Sequence, residues 1–224
     1  MKVIVVGLGR FGTAAARSMK ENGLEVVAID KDMRPVDDLK NDVDVAVRGD
    51  ATDLEILRQH GAEDCRTLVA AIGDDFEAQL LVVVQALQLG IERVIARSTS
   101  PTHARILKAV GAKETISPEE EGGTNLARRL AVPNIRRYFE LDEGIGVSEL
   151  EVPEGLVGRS LRDLDLPSNY EINVVGIRRP DDPGDEETHF TFRAVPSPDD
   201  PLRAGDVLEL VGEDVALARL MKKA

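Results

Sequence analysis

Val3-Ile4-Val5-Val6-Gly7-Leu8-Gly9-Arg10-Phe11-Gly12 stands at the front of the chain, and its reading decides the fold. The first four residues are a short continuous apolar run, the pattern of a strand buried on both faces. Gly7-x-Gly9-x-x-Gly12 follows at once, and then a helix over 13–22 with Ala14, Ala15, Ser18 and Met19 at helical spacing. Gly23 supplies the usual glycine stop. Each glycine has a physical task. Gly7 permits the tight turn, Gly9 lets a pyrophosphate approach the backbone, and Gly12 lets the helix pack close to the sheet. Exposed N–H groups and the helix dipole favour an anion at this point.

Outward from this unit the alternation continues to residue 116. Strands are expected over 25–29, 44–47, 67–72, 93–97 and 114–116, and helices over 35–40, 53–60, 76–89 and 101–110. Pro101 sits in a first helical turn and Gly111 ends that helix. Six strands alternating with helices imply an α/β fold, a Rossmann-like doubly wound parallel six-stranded sheet with right-handed crossovers. Residues 118–141 read as a longer helical segment with Leu126, Leu130 and Ile135 on one side, kinked or broken at Pro133. From Gly144 the pattern changes to short strands over 148–152, 171–177, 190–195 and 207–211, then a final helix carrying Val215, Ala218, Leu220 and Met221. This predicts a small α+β C-terminal domain. The expected division is a nucleotide-binding domain over 1–137, a linker over 138–146 and a small C-terminal domain over 147–224.

Composition narrows the function. The chain has 224 residues with 42% hydrophobic, enough to bury a core, and a formal net charge of −13. That balance argues against general binding to nucleic acid or anionic lipid, and 3% aromatic residues without Trp remove the base-stacking platform. Residues 180–201 carry seven acids (Asp181, Asp182, Asp185, Glu186, Glu187, Asp199, Asp200) against Arg193 alone, so much of the surplus is expected in a solvated loop. The single cysteine, Cys65, fits a reducing compartment and a structural role, and the three histidines are scattered without metal-ligand spacing. No run reaches the ~20 apolar residues of a membrane span, and no small-residue cleavage site follows the N-terminus; a soluble cytoplasmic protein is expected.

Asp30 ends the second strand, 18 residues past Gly12. It is placed to accept hydrogen bonds from ribose hydroxyls and to repel a 2′-phosphate. Arg10 opposes the macrodipole at a helix start; it is either a solvated arginine or a grip on phosphates held by the glycine turn. Asp50 and Asp74 follow the third and fourth strands, beyond whose carboxyl ends ligands bind in such folds. Either can instead be a helix cap, although Thr52 is better placed than Asp50 for that task. A dehydrogenase needs an acid–base pair beside the nicotinamide, and none stands out; His103 reads as a surface residue at a helix start. No P-loop lysine motif appears.

Val3–Val6 with Gly7-Leu8-Gly9-Arg10-Phe11-Gly12, Val27-Ala28-Ile29-Asp30, Gly49-Asp50-Ala51-Thr52 and Ala71-Ile72-Gly73-Asp74 together resemble an RCK (regulator of potassium conductance) N-domain. Leu156-Val157-Gly158-Arg159-Ser160-Leu161-Arg162-Asp163-Leu164 and Leu202-Arg203-Ala204-Gly205-Asp206-Val207-Leu208-Glu209-Leu210 are similar to the matching TrkA-C domain. The resemblance covers nearly the whole chain in the right order. It implies a non-enzymatic, cytoplasmic regulatory subunit of a Trk/Ktr-type potassium transporter or channel, held at the inner membrane face by a membrane-embedded translocating partner. Homodimers assemble into an octameric ring, and exchange of ATP against ADP, or NAD(H) in some members, changes its shape and gates ion flow. The implied ligand residues are Gly7, Leu8, Gly9, Arg10, Phe11, Gly12, Asp30, Lys31, Asp50, Ala51, Ala71, Ile72, Gly73, Asp74, Arg97 and Glu119. Arg10 matches the arginine that contacts terminal phosphates, Arg97 a basic residue after the fifth strand, and Glu119 an acid that reaches a neighbour's nucleotide and binds a divalent cation. Glu119 is equally a first-turn acid favoured by the helix dipole. The 118–141 segment matches a crossover helix. Some members bind cyclic di-AMP in the C-domain, where Arg178 and Arg179 could meet its phosphates; an arginine pair ending a strand is otherwise a solvated turn. The rival readings are an NAD-dependent oxidoreductase and a stand-alone nucleotide sensor.

Overall fold

The apolar run at the front becomes β1 (Lys2–Val6), buried throughout from residue 3 to residue 6. A strand so buried needs neighbours on both edges and cover on both faces. The computed structural model describes residues 1–131, 134–142, 144–181 and 189–221. The chain divides into two units, Met1–Glu120 and Glu121–Ala224.

In the first unit β1 is followed by α1 (Arg10–Glu21), β2 (Glu25–Asp30), α2 (Met33–Leu39), β3 (Val45–Arg48), α3 (Leu54–Gln59), β4 (Thr67–Ala70), α4 (Phe76–Gln88), β5 (Arg93–Arg97), α5 (Pro101–Val110) and β6 (Glu114–Ile116). The strands form one parallel sheet in the order β3-β2-β1-β4-β5-β6. Strand order reverses between β1 and β4, and a crevice opens there beyond the carboxyl ends. Side chains alternate between the faces of a strand. Val3 and Val5 therefore join Val26, Ala28, Ala16 and Leu39 in one core. Ile4 and Val6 join Ile29, Leu68, Val82 and Leu107 in the other. Cys65 is 4% exposed, and its Sγ donates to the carbonyls of Lys2 and Thr67, a structural role. β4 ends two residues earlier than expected, and Ala71 and Ile72 line the crevice.

The second unit holds most of α6 (Pro118–Ala131), then β7 (Ile135–Asp142), β8 (Ile145–Glu151), α7 (Leu161–Leu164), α8 (Leu166–Tyr170), β9 (Asn173–Pro180), β10 (Phe190–Arg193), β11 (Val207–Glu213) and α9 (Asp214–Met221). Its five strands are antiparallel in the order β10-β9-β11-β8-β7. Leu150, Ile177, Leu208 and Leu210 from the sheet pack with Leu164, Leu166, Leu217 and Leu220 from the helices. Among the described residues no helix is long and apolar enough to cross a membrane.

Two expectations fail here. The helix over 118–141 ends at Ala131, and residues 135–142 are β7. Ile135, Tyr138 and Phe139 are strand formers, and their backbone pairs with Leu150, Ser148 and Val147 of β8. Tyr138 is 5% exposed and closes over Gly146, where a Cβ would lie 2.4 Å from its ring. Of the stretch expected as a linker, residues 138–142 therefore belong to β7 and residues 145–146 to β8. The supposed shared face dissolves with it: Ile135 is buried, while Leu126 and Leu130 on α6 are exposed. Pro133, the expected kink, lies outside the described residues, as do Glu143 of the expected linker and Asp182, Asp185, Glu186 and Glu187 of the acidic stretch.

Asp44, just before β3, ties three elements together. Its Oδ2 accepts from the Val26 amide at 2.9 Å and its Oδ1 from Lys20 Nζ of α1 at 2.6 Å. Those bonds, the lysine's first, hold its carboxyl below the ordinary value. Its contribution is complete above the ordinary carboxylate pKa and is lost as pH falls through the lowered folded value. Thermal melts of Asp44→Asn should lie below wild type at neutral pH and converge with it in acid. A gap that persists unchanged at low pH would rule out the ion pair as its source.

Candidate functional site

The crevice at the end of β1 is a cleft of about 220 Å³, lined from the ends of β1 through β5. The glycine turn forms its floor. Gly7 has φ 88°, and a Cβ there would lie 3.0 Å from the Ile72 amide nitrogen. Gly12 lies beneath the turn, and a Cβ on it would fall 1.9 Å from the Gly7 carbonyl oxygen. Gly9 differs: a Cβ there meets nothing within 4 Å, so the space over this residue is open. α1 starts directly after it with no acid in its first turn. The first N–H groups of a helix have no acceptor within it. The turn thus offers an anion donors, a favourable dipole and room.

Asp30 secures the turn from β2. Its Oδ2 accepts from the Leu8 amide at 2.6 Å and its Oδ1 from the Asp32 amide at 2.8 Å. A carboxylate has about four acceptor sites, so two remain for ligand hydroxyls. Asp50 makes a tight turn of its own, accepting from the Thr52 amide at 3.0 Å and the Thr52 hydroxyl at 2.7 Å. Those bonds, with a smaller effect of Lys31, hold its carboxyl below the ordinary value, so it stays ionised. The cap of α3 is Asp53, which accepts from Glu55; Thr52, expected as the better cap, instead serves Asp50. Asp75 caps α4 by accepting from Ala78, which leaves Asp74 on the cleft wall.

Arg97 closes the β5 side. Its side chain is 18% exposed, its Nη2 donates to Glu119 Oε1, and its Nε is buried without a hydrogen-bond partner among the described residues. Its Nη1 lies over Gly73, where a Cβ would come within 2.1 Å. Glu119 lies below the ordinary carboxylate value, first through its own backbone amide and then through Arg97, with Arg10 adding a weaker field.

Of the expected residues, Gly7, Gly9, Asp30, Lys31, Asp50 and Ala51 line the cleft, as do Ala71, Ile72, Gly73, Asp74 and Arg97. Leu8 contributes its amide while its side chain is buried, and Phe11 packs on the core of α1 and α2. Arg10 stands exposed on the first turn of α1. Glu119 reaches the site only through Arg97. Sequence reasoning missed Asp32 and above all Gln79, a polar residue on the buried face of α4 that contacts the backbone of Ala70 and of the cleft residues Ile72 and Arg97; Asp75 makes the helix cap read for the 73–75 stretch. His103 is not a plain surface residue: its ring stacks on Phe76 with centroids 3.9 Å apart. Among the described residues no cluster of three or more His, Cys, Asp or Glu is placed to hold a metal.

Of the two readings of the Arg178–Arg179 pair, a contact for a cyclic dinucleotide or a solvated turn, the turn fails, because both residues are paired with β10 in the sheet. Both lie within β9. Arg178 donates to Glu209 at 2.8 Å and faces Glu149 at 3.2 Å, while Arg179 holds the fully buried Asp206 through two bonds of 2.8 and 2.9 Å. A buried carboxylate needs such a partner, which commits Arg179 to the fold.

Comparison with known proteins agrees with both units. A family model described as the TrkA-N domain matches residues 3–118, and one described as the TrkA-C domain matches residues 147–224. The Ktr system potassium uptake protein C of Bacillus subtilis is 31% identical over 175 residues, covering 78% of this chain and 79% of that protein. The Ktr system potassium uptake protein A of Vibrio alginolyticus is 28% identical over 218 residues, covering 97% and 95%. A solved structure described as the GsuK channel bound to NAD superposes with a TM-score of 0.53 at 22% identity over 99% of this chain, which spans 38% of that one; this likeness concerns the fold. By these matches the chain belongs to the TrkA-N/TrkA-C family, that of the Ktr and Trk potassium uptake proteins.

Proposed function

We propose that this chain is the cytoplasmic, nucleotide-binding regulatory subunit of a Ktr/Trk-type potassium uptake system, docked on a membrane-embedded translocating subunit. The observation that carries the reading is the cleft itself. By strand order, hydroxyl-accepting Asp30 and Asp50 come from the β2–β3 side, the anion-accepting glycine turn lies in the middle, and Arg97 comes from the β5 side. This sequence of groups suits ribose, then phosphates, then a terminal phosphate. ATP and ADP are the favoured ligands; NAD(H) fits the same turn and the same ribose acceptor, and is the second reading. A divalent cation would enter only with the phosphates, with Glu119 as its protein ligand. Catalysis forms no part of the proposal.

Gating requires that ligands bind two conformations with different affinity. The terminal phosphate is the differential contact here, through Arg10 and Arg97. In the structure Glu119 occupies the Arg97 guanidinium, so a phosphate must share or displace that carboxylate at the start of α6. Homodimers assembled as an octameric ring would convert such local exchange into a change of shape.

Calorimetric titration tests the phosphate assignments. Arg10→Ala should weaken ATP by about tenfold, the loss of one charge-assisted contact of roughly 1.5 kcal/mol, and ADP by less; equal losses would remove the terminal phosphate from the reading. Gly73→Ala should displace the Arg97 guanidinium, the end of a flexible side chain, and cut nucleotide affinity with little change in melting temperature. The glycine turn separates fold from ligand in a second pair of variants. Gly12→Ala meets a carbonyl and should cost about 1–3 kcal/mol in urea unfolding. Gly9→Ala should unfold like wild type yet bind nucleotide poorly; normal binding by Gly9→Ala would place the phosphates elsewhere.

A further inference from the structure

The ladder between β4 and β5 ends at Ala70 and Ala96. Beyond that point the two strands part, one toward the 71–73 turn and the other toward Arg97, and both line the cleft. Strand ends that part leave backbone groups without ladder partners, and buried ones must find others. One side chain meets this need. Gln79 of α4 is 1% exposed, on the same buried face as Val82, Val83 and Ala86. Its Nε2 donates to the Ala70 carbonyl at 2.7 Å and to the Arg97 carbonyl at 2.9 Å. Its Oε1 accepts from the Ile72 amide at 3.1 Å. The amide group thus acts as a rung between two separating strands, with both of its donors in use.

We infer that Gln79 is a positioning residue for the ligand cleft, acting through Arg97; the inference rests on the nucleotide reading above. Gln79 grips the backbone of the residue whose guanidinium closes the cleft. From that fixed backbone the Arg97 side chain runs over Gly73 to Glu119, with its buried Nε unpartnered among the described residues. The third bond, to Ile72, holds the segment that leaves no room for a side chain at Gly7, where a Cβ would lie 3.0 Å from the Ile72 amide nitrogen. No other side chain of similar size does the same work. Methionine has no donors, and an ionised glutamate would turn acceptors toward two carbonyls.

A buried glutamine that merely satisfies the core would affect stability and leave ligand binding independent of Arg97. A double-mutant cycle read by calorimetry with ATP, ADP and NAD separates the two on the full chain. Gln79→Met should lower affinity by about tenfold on the wild-type background and have little further effect on the Arg97→Ala background. Equal losses on both backgrounds, or no loss in a folded Gln79→Met, overturn the assignment. If Gln79→Met does not fold, Gln79→Glu, which keeps the size and the acceptor for Ile72, takes its place in the same cycle. Failure of the wild-type chain to bind any of the three nucleotides overturns the nucleotide reading and this inference together. Binding by wild type with additive losses overturns only the role of Gln79.

Discussion

Everything at the cleft depends on one close approach, that of Gly12 on α1 to the carbonyl of Gly7 at the end of β1. A side chain at position 12 would occupy the space of that oxygen. Because none is there, the start of α1 sits directly over the end of the central strand. This brings the Leu8 amide to Asp30 and leaves the backbone at Gly9 uncovered. Gly7 in turn packs on Ile72, which Gln79 holds, and Gln79 also holds Arg97. The floor, the acidic side and the basic side of the site are thus linked by short contacts, and displacement of α1 would loosen all three.

The first unit was legible because its central strands are buried on both faces. β1, β2 and β4 carry unbroken apolar runs, and helix caps and glycine stops punctuate the intervals. Smaller errors there came from competition between neighbours: Thr52 is a good cap in principle, but Asp50 takes its hydroxyl and Asp53 caps instead. β7 was hidden for a different reason. Ile135-Arg136-Arg137-Tyr138-Phe139-Glu140-Leu141-Asp142 buries only Ile135 and Tyr138, so it lacks a clean period of two, and its strand character is decided by pairing with β8. Gln79 left a signal, a polar residue between apolar ones on one helix face, but only the structure reveals which backbone groups it serves. Arg97 and Glu119 entered through family resemblance, since nothing local to either residue announces a ligand.

The charge distribution explains how an acidic protein can still hold phosphates. Carboxylates of the first unit are drawn into specific bonds: Asp44 with Lys20, Asp42 with Arg17, Glu119 with Arg97. Asp30 and Asp50 use backbone amides in the same way. What faces an anion at the glycine turn itself is a set of N–H groups and a helix dipole; Asp30, Asp50 and Asp74 line the cleft beside it, and the rest of the net charge of −13 acts from a distance through screening solvent. In the second unit the buried Asp206 pairs with Arg179, a partly exposed arginine whose charge it offsets.

Cys65 has a practical consequence. It is the only thiol in the sequence, and it lies almost wholly inside the first unit, bonded to two carbonyls. Thiol-directed reagents reach exposed thiolates far more readily than buried thiols. The folded chain is accordingly a near-silent background for chemical labelling. A cysteine introduced at an exposed position of α6, such as Leu126 or Leu130, would be the sole reactive handle, and a spectroscopic probe attached there would report on this helix directly while ligand enters the cleft.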